Sequence, residues 1–183
     1  MTEAVLSFVQ SKLEPGESIL WSGEPRAGLL LRPSDALQIP FSLIWGGFAF
    51  YWEYMVLRTA KAPLLFKLWG IPFVLMGLYI IAGRFVVDAA YRGHTYYFVT
   101  ERRVLILSTL FKVRIRSLDL RTMPDLTLEQ KQDGSGTIWF GPREATQWAA
   151  GFWPGSTRRT AAFETISRAN DVYETIRRAQ REL

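Results

Sequence analysis

Residues 36–57 read ALQIPFSLIWGGFAFYWEYMVL, and residues 63–83 read PLLFKLWGIPFVLMGLYIIAG. As helices with a rise of about 1.5 Å per residue, each segment would be roughly 30 Å long, which matches the hydrocarbon layer of a bilayer. A helix also satisfies its own backbone hydrogen bonds, as any segment that crosses lipid must. The two segments therefore predict two membrane-spanning helices.

Only five residues, 58–62 (RTAKA), separate the two segments. So short a break can only turn the chain around, which predicts a transmembrane helical hairpin over 35–87 with both ends of the protein on one side. The alternative is a pair of buried helices in a soluble domain, but a chain of 183 residues seldom buries two such helices on every face.

Basic residues predict which side faces the cytoplasm. The turn of the hairpin carries Arg58 and Lys61, and the opposite side carries more of them. We therefore expect both termini in the cytoplasm. The basic residues on the heavier side are Arg26, Arg32, Arg84, Arg92, Arg102 and Arg103.

Small residues recur along both apolar segments. The first segment contains Ser42, Gly46 and Ala49 near one another on a helix, and the second contains Gly70 and Gly77 one heptad apart. Small residues let helix backbones approach closely in lipid, so these faces are expected to meet. The alternative is that the glycines are scattered and face lipid.

Two charged residues interrupt the apolar segments. Glu53 and Lys67 each lie seven residues from residue 60, on opposite sides of the turn. In a hairpin turning there they would have the same depth, and an ionisable group in lipid is costly unless it is paired or reaches water. We therefore predict an intramembrane ion pair between Glu53 and Lys67. The alternative is that each side chain extends to the headgroups by itself.

The composition argues against several classes of protein. The net charge of +5 suggests contact with anionic lipid headgroups rather than nucleic acid, because the basic residues form no dense run. The chain has no cysteine, which excludes disulfides and thiolate metal sites, and its one histidine, His94, argues against a catalytic or metal centre. We predict a protein that is not an enzyme, with no cofactor, no metal site and no small-molecule substrate.

The N-terminal region, 1–34, is predicted to contain an amphipathic helix over 2–13 and a short strand over 18–21. A helix of twelve residues is marginal by itself, so it must lie on the membrane surface, the C-terminal domain or a partner.

The region 92–183 shows strand patterns followed by one amphipathic helix. This pattern predicts an antiparallel, bent sheet that a C-terminal helix closes. The predicted strands cover 95–100, 103–108, 112–118, 125–131, 137–140 and 160–164, and the predicted helix covers 166–180.

Seven short segments follow one another along the chain: LEPGE (13–17), ILWSGEP (19–25), YYFVTERRVLIL (96–107), RSLDL (116–120), DGSGTI (133–138), FETI (163–166) and RAQ (178–180). Taken in this order, they resemble the membrane-anchored bacterial pleckstrin-homology-like family. The resemblance covers nearly the whole chain except 141–159, and it implies a pleckstrin-homology-like β-barrel or sandwich on the cytoplasmic side of the bacterial inner membrane. It implies no activity, because this fold serves many binding roles.

Two candidate interaction surfaces stand out in 92–183. Five basic residues around the first two hairpins, Arg102, Arg103, Lys112, Arg114 and Arg116, are a candidate contact for anionic lipid or a partner; the alternative is a solvated strand face. A second candidate is an aromatic loop that would dock a partner or enter the membrane interface, or else cover the mouth of the barrel. Its residues are Trp148, Phe152 and Trp153.

The leading hypothesis is a multi-pass inner-membrane binding or scaffold protein that docks on another membrane protein or on a second copy of itself, as an accessory or assembly subunit of a larger complex. One alternative is a sensor of anionic lipid surfaces that uses the basic residues. Another is an oligomeric, transport-related protein that uses Glu53 and Lys67.

Overall fold

The computed structural model describes residues 3–32, 35–123, 125–142 and 160–183. It is an α+β structure with antiparallel sheets and a C-terminal helix, as the sequence predicts. The helices are α1 (Glu3–Gln10), α2 (Asp35–Arg58), α3 (Leu64–Leu78), a π-helical turn (Tyr79–Gly83), α4 (Arg84–Gly93) and α5 (Ala169–Arg181). The strands are β1 (Ile19–Gly23), β2 (Thr95–Thr100), β3 (Arg103–Ser108), β4 (Arg114–Asp119), β5 (Leu126–Gln130), β6 (Gly136–Phe140) and β7 (Ala161–Ile166).

The chain divides into two compact units. The first, the sheet unit, contains the described residues of 3–28, 90–142 and 160–183, and the second, the hairpin unit, contains those of 29–89. The sequence predicts separate domains over 1–34 and 92–183, whereas the structure joins 3–28 to the sheets. The reason is that β1 pairs antiparallel with β2, with Trp21 opposite Val99 and Gly23 opposite Tyr97. The hairpin is therefore an insertion between two neighbouring strands.

The sheet unit contains two antiparallel sheets, with strand orders β1-β2-β3-β4 and β5-β6-β7. Both sheets and one face of α5 contribute to the main core, in which Phe163 is fully buried. The ring of Phe163 stacks on Tyr97 at 4.5 Å between centroids and meets Phe140 edge-on at 4.9 Å. Helix α5 packs through Val172 and Ile176, which are almost fully buried because its apolar positions fall on one face.

A second, smaller core lies between α1 and the opposite face of the four-stranded sheet. Val9 of α1 packs there with Phe98, Leu105 and Leu107. Successive side chains of a strand point to opposite faces, so β3 contributes Val104 to the main core and Leu105 to this one. The N-terminal helix therefore packs on the C-terminal domain, which is one of the three positions that the sequence leaves open for it.

In the hairpin unit, α2 and α3 pack against each other in antiparallel directions. Among the helices of the described residues, one is long and apolar enough to cross a membrane by length and composition, namely the continuous helix Leu64–Gly93. Helix α2 is less apolar, because it contains Asp35, Gln38, Glu53 and several Trp and Tyr residues. Two membrane-spanning helices were predicted, and by length and composition only the second of them is a candidate span among the described residues.

Candidate membrane anchor and interaction surfaces

The hairpin unit has the opposite burial pattern to that of a water-soluble protein. The buried residues of α2 are polar or small, and its large apolar side chains point outward: Leu37, Ile44 and Phe48 are 71%, 75% and 67% exposed. Helix α3 shows the same outward apolar surface, with Leu64 and Leu65 each 71% exposed. The buried residues of α2 are Asp35, Gln38, Ser42, Gly46, Ala49 and Glu53.

The small residues form the contact between the two helices. A Cβ atom added at Gly77 would lie 3.2 Å from the Cα of Gly46, so the backbones touch at this point. Ser42, Ala49 and Gly70 are also buried. The prediction that these faces meet is confirmed.

The predicted ion pair between Glu53 and Lys67 is not formed among the described residues. Glu53 is 8% exposed, and its Oε2 has no hydrogen-bond partner there, whereas Lys67 is half-buried. The carboxylate of Glu53 fills the space that Gly70 leaves, since a Cβ at Gly70 would be 1.7 Å from that oxygen. The missing side chain on α3 therefore directs Glu53 into the helix contact and not toward Lys67.

A buried ion pair that we did not predict joins the two ends of the hairpin. The guanidinium of Arg84 lies 2.8 Å from Oδ1 of Asp35, and the two side chains are only 2% and 8% exposed. Arg84 also donates to the side chain of Gln38. The sequence contains a signal for this pair, because Asp35 and Arg84 lie 25 and 24 residues from residue 60 and so have nearly the same depth in a hairpin that turns there. A second pair, between Arg32 and Asp88 at 3.1 Å, lies in the same unit.

Two of the five residues of the predicted basic surface form ion pairs with glutamates of the N-terminal segment. Arg102 lies 3.0 Å from Glu14, and Arg103 lies 2.7 Å from Glu17. Burial of Glu17 raises its pKa, but hydrogen bonds from Arg103, from the backbone N–H of Glu14 and from Thr100 outweigh it, so the pKa is lowered. Arg102 and Arg103 therefore help to hold the sheet unit together. A contact of the five basic residues with anionic lipid or a partner stays a prediction.

The remaining basic residues, Lys112, Arg114 and Arg116, are exposed in the β3–β4 turn and in β4. Two apolar side chains beside them are exposed as well: Phe111 by 75% and Val113 by 62%. The sequence predicts a strand over 112–118, but β4 begins only at Arg114, so Val113 lies in the turn.

The structure shows a local role for His94. Its side chain is exposed, and Nδ1 lies 2.9 Å from the carbonyl oxygen of Ala90. Within residues 3–32, 35–123, 125–142 and 160–183, no group of three His, Cys, Asp or Glu side chains is arranged to hold a metal ion. The predicted aromatic loop, with Trp148, Phe152 and Trp153, lies outside the described residues and stays a prediction.

Comparisons with protein-family models, with curated proteins and with solved structures found no match to this chain.

Proposed function

We propose that this protein is a membrane-anchored binding and scaffold protein without enzymatic activity. In this proposal the hairpin over 35–87 lies in the bacterial inner membrane and the sheet unit lies in the cytoplasm. The observation that carries the proposal is the reversed burial of the hairpin unit, with Ile44 and Leu65 among many exposed apolar side chains and Asp35 and Glu53 inside. A surface of that kind is unfavourable in water and favourable in lipid.

The main competing interpretation is a buried helix pair in a soluble protein. Such helices would be covered by the rest of the protein, but only 17% of an apolar 18-residue stretch of the helix Leu64–Gly93 is buried. Lipid would cover the remainder without further protein. This low burial favours a membrane span for the second helix.

The hairpin geometry supports a second span in α2 in spite of its polar residues. Gln38 is 2% exposed and accepts a hydrogen bond from Arg84, and Glu53 is 8% exposed and faces Gly70 of α3, so neither would meet lipid. The residues that would meet lipid are apolar, such as Phe41, Leu43 and Phe48. Polar groups inside a membrane protein are tolerated where they face another helix.

The sheet unit supports the pleckstrin-homology-like part of the proposal. Seven strands in two antiparallel sheets with a C-terminal helix packed on the core are the arrangement that the resemblance implies. Folds of this kind present loops and strand edges to partners. We therefore propose docking on another membrane protein or on a second copy. The transport-related alternative would use Glu53 and Lys67, and no ion pair between these two residues supports it among the described residues.

The proposal is tested by extraction of membranes that contain the full chain. We expect the protein to stay in the membrane pellet at alkaline pH and to be released by a mild detergent. Native mass spectrometry of the detergent extract should then show a complex, either with a second protein or with a second copy. Release by alkali would contradict the anchor, and a monomer without partners would contradict the scaffold function.

A further inference from the structure

The β3–β4 turn combines exposed apolar and basic side chains in consecutive positions. Phe111 and Val113 expose 75% and 62% of their surfaces, and they alternate with the exposed Lys112 and Arg114. Within the part of the chain that the structure describes, no carboxylate forms an ion pair with Lys112 or Arg114. This distinguishes them from Arg102 and Arg103, which pair with glutamates.

The β3–β4 turn contacts the C-terminal end of the helix Leu64–Gly93. Tyr91 and His94 lie at or just beyond the end of helix Leu64–Gly93 and belong to the same unit as the turn. The ring of Phe111 meets Tyr91 edge-on at 5.6 Å, and the N–H of Thr109 donates to the carbonyl oxygen of His94 at 2.9 Å. The turn therefore lies beside the last residues of that helix.

We infer that the β3–β4 turn is a second membrane contact, in which Lys112 and Arg114 bind anionic phospholipid headgroups while Phe111 and Val113 enter the interface. This inference rests on the proposed membrane anchor, because the helix that ends beside the turn must leave the bilayer nearby. Alternating apolar and basic side chains suit an anionic leaflet, where the apolar groups reach the acyl boundary and the cations stay among the phosphates.

A membrane contact at the turn would restrict how the sheet unit moves on its anchor. The hairpin already keeps the unit at the membrane, so the contact adds orientation rather than recruitment. It would place the edge strand β4, which follows the turn directly, at the leaflet. The contact thus determines which surfaces of the sheet unit remain open to a partner.

The test uses the full chain in nanodiscs and a single cysteine at Val113 that carries an environment-sensitive fluorophore. The natural chain has no cysteine, so the label is specific. Two further single-cysteine variants are compared: Leu75→Cys, 61% exposed on the candidate span, and Gln132→Cys, exposed between β5 and β6. Lipids with a spin label near the headgroup or along the acyl chain quench the fluorophore where it enters the bilayer.

We expect quenching at position 113 in discs that contain phosphatidylglycerol, weaker quenching in phosphatidylcholine alone, and none at position 132. The double variant K112Q/R114Q should lower the ratio of membrane-bound to unbound turn about 30-fold, which is about fivefold for each basic residue. The matched variant R178Q/R181Q removes the same charge from α5 and should leave quenching unchanged.

Different results separate the two proposals. Quenching at position 75 without quenching at 113 would overturn the membrane contact and leave the anchor intact; it would favour a protein partner for the turn. Equal quenching at 113 in both kinds of disc would overturn the role of the two basic residues. No quenching at 75 would overturn the anchor and, with it, this inference.

Discussion

Glu17 accepts two hydrogen bonds from the guanidinium of Arg103, one from Nε at 2.9 Å and one from Nη2 at 2.7 Å. The side chain of Glu17 is fully buried, and Arg103 is 22% exposed. Glu17 precedes β1 and Arg103 begins β3, so the pair fastens the N-terminal segment to the sheet across the inserted hairpin. Because the contact is bidentate and mostly buried, it stabilises more than an exposed ion pair does.

We predict that Arg103→Gln destabilises the sheet unit by about 2 kcal/mol, because it leaves the buried carboxylate of Glu17 without its charged partner. In the full chain in mild detergent, this corresponds to about 30-fold faster hydrogen exchange in the amides of β2. The matched control is Arg102→Gln, since Arg102 and its partner Glu14 are 54% and 56% exposed. The control should cost less than about 1 kcal/mol. Equal effects of the two changes would contradict this assignment.

The lowered pKa of Glu17 predicts a loss of stability in acid. The ordinary pKa is 4.5, so the stabilising contribution of Glu17 is fully present above pH 4.5 and is lost as the pH falls toward the lowered value. The gap in thermal unfolding midpoint between the natural chain and Glu17→Gln, followed by circular dichroism in a non-ionic detergent, should therefore narrow below pH 4.5. A midpoint difference that stays constant or widens in acid would contradict the stabilising role of the Glu17 carboxylate.

The stabilising contribution of Asp133 should also depend on pH in the acid range. Hydrogen bonds from the side chain and backbone of Ser135, and then from Arg26, lower its pKa from 3.8 to about 2. Its contribution is thus complete above pH 3.8 and is lost as the pH falls through about 2. The midpoint difference between the natural chain and Asp133→Asn should be constant at pH 4 and above, and should shrink only below 3.8. A difference that shrinks already between pH 6 and 4 would reject this assignment.

The contact between α2 and α3 predicts different outcomes when a larger side chain replaces a glycine at the contact, Gly77, or one outside it, Gly47. Gly77→Leu should push α3 away from the backbone of Gly46 and lower the temperature at which half the protein stays soluble in detergent by about 5 °C. Gly47→Leu should have no such effect, because a Cβ there meets no atom within 4 Å. The experiment heats the detergent-solubilised full chain and measures the soluble fraction. If Gly47→Leu proved as damaging as Gly77→Leu, the contact would be misassigned.

The position of Glu53 predicts that Lys67 can be replaced without cost. Loss of one partner from a buried ion pair typically costs about 3–5 kcal/mol. Since no such pair forms among the described residues, Lys67→Met and Glu53→Gln should each leave the same soluble-fraction temperature within about 2 °C. A large loss for each single variant that the double variant restores would show coupling between the two groups and refute the structure at this point.

Local patterns in the sequence predicted much of the fold. The strands over 95–100 and 103–108 were predicted with the bounds that the structure has, because β-branched and aromatic runs flank a turn at Glu101 and Arg102. The small-residue contact of the hairpin was predicted by spacing along a helix. In each case the signal is local or follows from the antiparallel arrangement of two adjacent helices.

Pairings between distant segments were missed. Nothing in the pattern around Trp21 indicates that β1 pairs with β2 across the inserted hairpin, and nothing around Arg103 indicates that Glu17 neutralises it. Both depend on long-range packing, which side-chain periodicity does not specify. Val113 was misplaced for a local reason, since the alternation in 112–118 continues into the turn before the ladder with β3 starts.

The membrane position that we propose for α2 and α3, with the sheet unit outside the lipid, is tested most directly by the labelling of single cysteines with a membrane-impermeant maleimide. In sealed inside-out membrane vesicles we expect rapid labelling of Gln132→Cys. Ile44→Cys on α2 and Leu65→Cys on α3 are 75% and 71% exposed in the protein, yet they should react only after the vesicles are dissolved and the chain is denatured. Labelling of Ile44→Cys in intact vesicles as fast as Gln132→Cys would contradict the account.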